Sequence, residues 1–172
     1  MNMSLRLRLS ITCAAILMTP AVGCSDVAQP YLEAVRRADK VILYEGLPHP
    51  SYEKEVLAEE KKNKSVRELH GQPFYEAPLD LSAEVAKQLR ELLGHAATYE
   101  PFEGEKKCGG FHPDYAVEFT LGADRYLAQI CFGCKEVKLF GPNVKTRHDL
   151  SKGPCEKLKK LLENYRKNRP PA

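Results

Sequence analysis

Apolar positions along this chain keep helical spacing in some stretches and alternate in others, and the changes of period divide it into elements. Tyr31, Val35 and Ala38 share one helical face behind Pro30, which predicts a first helix with proline in its opening turn. The run Val41-Ile42-Leu43-Tyr44 within 40–45 is too short and too apolar for anything but a buried strand, and Gly46-Leu47-Pro48-His49-Pro50 then breaks the chain. A second helix is predicted over 52–62, with Ser51 as N-cap and Tyr52, Val56 and Leu57 turned inward. Residues 73–76 read as a short edge strand. A third helix starts at the capping Ser82, carries Glu84 at its positive end, aligns Val85, Leu89 and Leu92, and stops at Gly94.

From Tyr115 the period becomes two. Tyr115, Val117, Phe119 and Leu121 alternate with Ala116, Glu118 and Thr120; Gly122-Ala123-Asp124 supplies a turn, and 125–131 returns as a hairpin partner. With the turn centred near Ala123, Tyr115 should face Cys131. Glu136 to Phe140 offers a third strand, closed by Gly141-Pro142, and a last helix from Pro154 lays Cys155, Leu158, Leu161, Leu162 and Tyr165 on one stripe. The expectation is an α+β domain: an antiparallel meander at about 114–140 plus the strand at 40–45, with helices packed on one face.

The first two dozen residues follow a different logic. Arg6 and Arg8 precede an apolar run from Leu9 to Thr19 that Pro20 and Gly23 end, the build of a signal peptide and too short for the roughly 20 residues of a membrane span. Small residues at Ala21 and Gly23 suit cleavage after Gly23. The stretch Ala21-Val22-Gly23-Cys24 resembles the lipobox of bacterial lipoproteins, with Ala21 standing where leucine is commonest. The resemblance implies that Cys24 carries a thioether-linked diacylglycerol and an N-acyl chain such as palmitate. At about 0.8 kcal/mol per buried methylene, three chains make a lasting anchor. Ser25 is not the Asp that the family uses for inner-membrane retention, so the implied home is the cell envelope, at the outer membrane where the organism has one. The expected organisation is a signal peptide over 1–23, a lipid-anchored tether over 24–29, one domain over 30–168 and a tail over 169–172.

Removing residues 1–23 leaves 149, enough for one domain with a real core. That chain has 24 basic against 23 acidic residues, which is no nucleic-acid footprint. Its basic end, Arg166-Lys167-Asn168-Arg169, reads as a solvated tail. The expected partners are the bilayer, through acylated Cys24, and a protein or small-molecule ligand of unknown identity.

Cys13 leaves with the signal peptide and Cys24 goes to lipid, so Cys108, Cys131, Cys134 and Cys155 remain. An exported chain meets an oxidising compartment in which neighbouring thiols pair. A bond from Cys108 to Cys131 or Cys134 is preferred, while Cys155, on the apolar stripe of its helix, suits a buried free thiol equally well. The alternative is zinc on a Cys3His set of Cys108, His112, Cys131 and Cys134. A redox Cys-x-x-Cys opens a helix, whereas the residues after Cys134 read as strand; haem attachment wants His where Lys135 stands.

Histidines at 49, 70, 95, 112 and 148 form no metalloprotease motif, and neither a nucleophile elbow nor a phosphate loop is present. His112-Pro113-Asp114-Tyr115 is the most site-like cluster, and turn formation explains its proline and aspartate. The segments 107–117 and 130–134, with Leu43-Tyr44-Glu45-Gly46-Leu47-Pro48, resemble a group of uncharacterised exported bacterial proteins; that resemblance brings no activity and no catalytic residue. The function expected is therefore that of a non-enzymatic binding or envelope-structural module, with no cofactor, and with a zinc protein as the alternative.

Overall fold

The computed structural model describes residues 27–170. Cys13, Cys24 and the signal and lipobox readings lie outside those residues. The chain forms α1 (Gln29–Arg37), β1 (Lys40–Glu45), α2 (Lys54–Asn63), β2 (Val66–Leu69), β3 (Gln72–Tyr75), α3 (Ala83–Leu93), β4 (Tyr99–Pro101), β5 (Tyr115–Leu121), β6 (Asp124–Cys131), β7 (Glu136–Gly141), β8 (Val144–Leu150) and α4 (Lys152–Leu162).

Six strands make one antiparallel sheet in the order β1-β5-β6-β7-β8-β4, and β2 and β3 form a separate hairpin. The fold is α+β. On one sheet face Leu43, Val117, Phe119, Ile130, Val137 and Leu139 meet Tyr31, Leu32 and Val35 of α1, Leu89 and Leu93 of α3, and Leu158 and Leu162 of α4. The residues between them on the strands face the other way. There Tyr44, Ala116, Leu127 and Phe140 pack with Phe74 of β3. The β2–β3 hairpin thus covers one part of the second face, and the loop from Phe102 to Phe111 covers another, where Cys131, Glu136 and Asp149 are buried; Lys138, Lys145 and Arg147 keep contact with solvent between them.

Caps follow the sequence. Ser82 accepts a hydrogen bond from the Val85 amide at 3.2 Å, and the amide of Gly94, the C-cap of α3, donates to the Arg90 carbonyl at 2.9 Å. In α2 the expectation fails in detail. The N-cap is Glu53, Tyr52 is 69% exposed and Val56 39% exposed. The buried residue is Glu60, which accepts from the Tyr75 hydroxyl at 2.5 Å and pairs with Lys64 at 2.7 Å. A polar anchor to β3 has replaced apolar packing, so hydrophobic spacing points to the wrong face.

The meander also runs further than 140. Asn143, with φ 59°, carries the turn after Gly141-Pro142, and β8 follows. Its Val-Lys-Thr-Arg-His-Asp-Leu sequence hides a strand because polar side chains stand on both of its faces, His148 and Asp149 among them buried. In the first hairpin Gly122 and Ala123 alone form the turn, so Tyr115 faces Ile130, and Cys131 faces Glu136 across β7. The one-residue slip from the expected Tyr115–Cys131 pairing comes from Asp124 joining β6.

Candidate functional site

The strand end Glu45-Gly46, the loop 108–114 and the turn 132–135 converge at one corner of the sheet. The Gly46 amide donates to the Asp114 carbonyl at 2.8 Å, and the Asp114 amide donates to the Ile130 carbonyl at 2.7 Å, so the loop is threaded between β1 and β6. Gly109, at φ 78°, lets the loop pass His49 and Tyr52; a Cβ there would stand 2.9 Å from His49 Cε1. Cys108 and Cys134 are bonded, with Cα atoms 5.8 Å apart, which pins this loop to the turn after β6. Asp114 closes the corner: its Oδ2 accepts from the Phe132 amide at 2.7 Å.

His112 is buried beneath the loop. Its Nε2 lies 2.7 Å from the Leu47 carbonyl oxygen, and because a carbonyl only accepts, Nε2 carries the hydrogen. Burial pushes its pKa down to about 4, and Arg169 adds to the shift while Asp114 opposes it. The ring is therefore neutral near pH 7. The His49 ring packs against it at 4.7 Å and against Tyr52 at 4.5 Å, and His49 Nδ1 accepts from the Ser51 amide at 3.0 Å.

The two other candidate cysteines are unbonded and buried. Cys131 Sγ accepts from the Cys134 amide at 3.3 Å; burial raises its thiol pKa, opposed by the backbone N–H groups of Cys134 and His112. Cys155 lies on α4 with its thiol likewise raised by burial. Of the zinc alternative, Cys108, His112, Cys131 and Cys134 do share the corner, but the disulfide takes two thiols and the Leu47 carbonyl takes the His112 Nε2 hydrogen. Among the described residues no group of three or more His, Cys, Asp and Glu side chains is placed to hold a metal. The Cys-x-x-Cys pair spans a turn that leads into β7, and no helix dipole acts on it.

The sequence reading missed Glu45 and Arg169, which tie this corner to the chain's end. Glu45 is buried, and its carboxylate accepts from the Lys167 amide (3.0 Å), the Asn168 amide (2.7 Å), Asn168 Nδ2 (3.0 Å) and the Arg169 amide (3.0 Å). The Arg169 guanidinium donates to the Gly46 carbonyl at 2.9 Å and pairs with Asp114 Oδ1 at 3.3 Å. The end expected to be a solvated tail is thus a docked strap. Packing runs from Val27, 3% exposed, to Arg169, wider at both ends than 30–168. A charged residue closing the apolar run Val-Ile-Leu-Tyr-Glu was the signal available for Glu45; nothing in the sequence marked its partners. Beneath the strap a cavity of about 380 Å³ is lined by Tyr115, Phe132, Lys159 and Arg166 among others, and burial followed by the Glu45 charge pushes the Tyr115 hydroxyl up to about 12.

No family model matches the chain, and no curated protein matches it. A solved structure described as "Putative Lipoprotein from Clostridium perfringens" is similar at 12% identity and a TM-score of 0.42, over 81% of this chain and 93% of that one. A likeness of that degree establishes no family. Among the described residues no helix is long and apolar enough to cross a membrane.

A larger cavity, about 1020 Å³, opens between α3 and α4, away from the cysteine corner. Leu92, Leu161 and Tyr165 line it, with Lys157 and Lys160 alongside. Glu91, His95 and Thr98 also line it.

Proposed function

We propose that this protein is an exported, lipid-anchored module of the bacterial cell envelope that works by binding or bracing rather than by catalysis. The observation that carries the reading is the lipobox-like Ala21-Val22-Gly23-Cys24 standing directly ahead of a domain whose core already includes Val27. Three residues reach no further than about 11 Å, so an acylated Cys24 holds the domain against the headgroups and not at the end of a long tether. Ser25 favours the outer membrane where one exists.

The corner supports the non-enzymatic half of the proposal. Its histidine, carboxylates and paired thiols are engaged with the protein's own backbone, strap and disulfide, an arrangement suited to rigidity and not to proton transfer.

Cys24→Ala tests the anchor. Expected are loss of palmitate labelling and a shift from the membrane to the soluble exported fraction; unchanged membrane fractionation overturns it. Thiol counting tests the staple: the denatured mature protein, whose Cys24 sulfur is a thioether, should show two free thiols, Cys131 and Cys155, and no bound zinc. One zinc per chain, with thiols released by chelation alone, would establish the metal alternative instead.

A further inference from the structure

Between the two covered parts of the second sheet face, three cations, Lys138, Lys145 and Arg147, gather in one place. Lys138 on β7 and Arg147 on β8 are directly opposite each other, and Lys145 is opposite Phe140, two pairs further along and so on the same face. Like charges in a cross-strand pair work against folding. Arg147 is held by Glu136, its Nε and Nη2 at 2.9 and 2.6 Å from Oε2, and Lys106 is held by Asp149 at 2.6 Å. Among the described residues neither Lys138 nor Lys145 has an ion-pair partner within 4.0 Å.

The surroundings make this a recess instead of a flat basic surface. The Phe111 ring lies 4.2 Å from Lys138 Nζ, and the Phe102 ring 4.1 Å from Arg147 Cζ. His70, at the tip of the β2–β3 hairpin, stacks on Phe140 at 4.1 Å and forms the far wall. Two cavities flank the Lys138–Arg147 pair: about 400 Å³ on the side of His70, Phe140 and Lys145, and about 250 Å³ on the side of Phe111 and Lys106, where Glu105 also reaches the rim. Lys138 is partly removed from water, and burial first, then Arg147, moves its pKa down against the pull of Glu136. Both effects would be relieved by an anion.

We infer that the recess over Lys138, Lys145 and Arg147 binds a phosphate-type oxyanion carried on a ligand of about monosaccharide size. Lys138 and Lys145 supply charge-assisted hydrogen bonds, Arg147, preset by Glu136, supplies a fixed cation between them, and Phe111 and the His70 ring, backed by Phe140, form walls for the ligand body. The larger cavity is at the small end of the range for ligand pockets, which suits one ring with its anion. This gives a ligand class to the binding module proposed above and rests on that reading for the ligand's role, not for the site itself.

The test titrates the exported Cys24→Ala protein and the acylated mature protein with inorganic phosphate and glucose 1-phosphate, following heat of binding and melting temperature, beside vesicles of phosphatidylcholine with and without phosphatidylglycerol. Saturable binding, weakened by salt, is expected in both protein forms. Lys138→Gln/Lys145→Gln should weaken it about tenfold or more. The same variant without anion should melt no lower than the parent, since it relieves repulsion. Tighter binding to glucose 1-phosphate identifies a soluble sugar phosphate as the source, whereas response to anionic vesicles alone identifies a lipid headgroup. Equal affinity in parent and variant, no response to any probe, or a variant that melts well below the parent overturns the inference. Because the anchor is absent from Cys24→Ala, failure here leaves the lipid anchor untouched, and failure of the labelling test leaves this site untouched.

Discussion

Gly46 and Pro113 pass so closely that a Cβ on Gly46 would stand 2.0 Å from the Pro113 carbonyl oxygen. The obstacle is backbone, held in turn by the Gly46–Asp114 and Asp114–Ile130 hydrogen bonds, so it has little room to yield. Gly46→Ala should destabilise the protein by about 3 kcal/mol or more through forced separation of β1 from the loop. Urea denaturation of parent and variant measures it, and a loss below 1 kcal/mol would show that the loop moves freely.

Glu45→Gln retains shape but places an amide NH2 among donors from Lys167, Asn168 and Arg169. The strap should detach, at about 2–3 kcal/mol for a buried charged acceptor. Trypsin should then cut after Arg166 and Lys167 in the variant under conditions that leave the parent whole.

His112 gives the fold a specific acid sensitivity. Its pKa is about 4 in the folded protein against 6.5 for a free imidazole, so between those values the unfolded chain binds more protons. Its contribution is complete above pH 6.5 and lost as pH falls to about 4, amounting to no more than about 3 kcal/mol. Denaturation of parent and His112→Gln at pH 4.5 and 7 separates this from general carboxylate protonation: the pH dependence should be shallower in the variant.

The Cys108–Cys134 bond closes a loop with a sequence separation of 26. Chain entropy for a loop of that length predicts a loss of about 3.5 kcal/mol in Cys108→Ser/Cys134→Ser. Cys131 and Cys155, buried with thiols shifted up, should resist alkylation in the folded protein and react only on denaturation. Rapid labelling of Cys131 in the native state would contradict its placement.

Local signals identified the elements wherever one face was apolar and a cap or turn residue stood in the right place. Ser82 and Gly94 mark the ends of α3, whose buried residues are Leu89, as expected, and Leu93 in place of the partly buried Leu92, and Tyr115 to Cys131 announces its hairpin by alternation. The same logic failed where polar groups do the packing. Tyr52 and Val56 suggested an inward face for α2, yet Glu60 bonded to Tyr75 is the buried contact. β8 has no apolar alternation because Thr146 and His148 stand on its inner face and Lys145, Arg147 and Asp149 on the other, and β4 has none because three residues carry no period.

The candidate corner divides in the same way. The chain's own order shows Cys108, His112, Cys131 and Cys134 as residues with chemistry, because their types and spacing are local properties. Which thiols pair is a matter of register: the turn 132–135 sets Cys131 opposite Glu136 across the β6–β7 pair, and the tertiary path of the loop at 108–114 brings Cys108 to Cys134. Glu45 holding residues 167–169 is a contact between residues far apart in sequence, and Lys138 facing Arg147 is a matter of the β7–β8 register. Composition and periodicity record what each residue prefers; they carry no record of which residue the fold will set against it, and that opposition creates both the docked strap and the crowded cations.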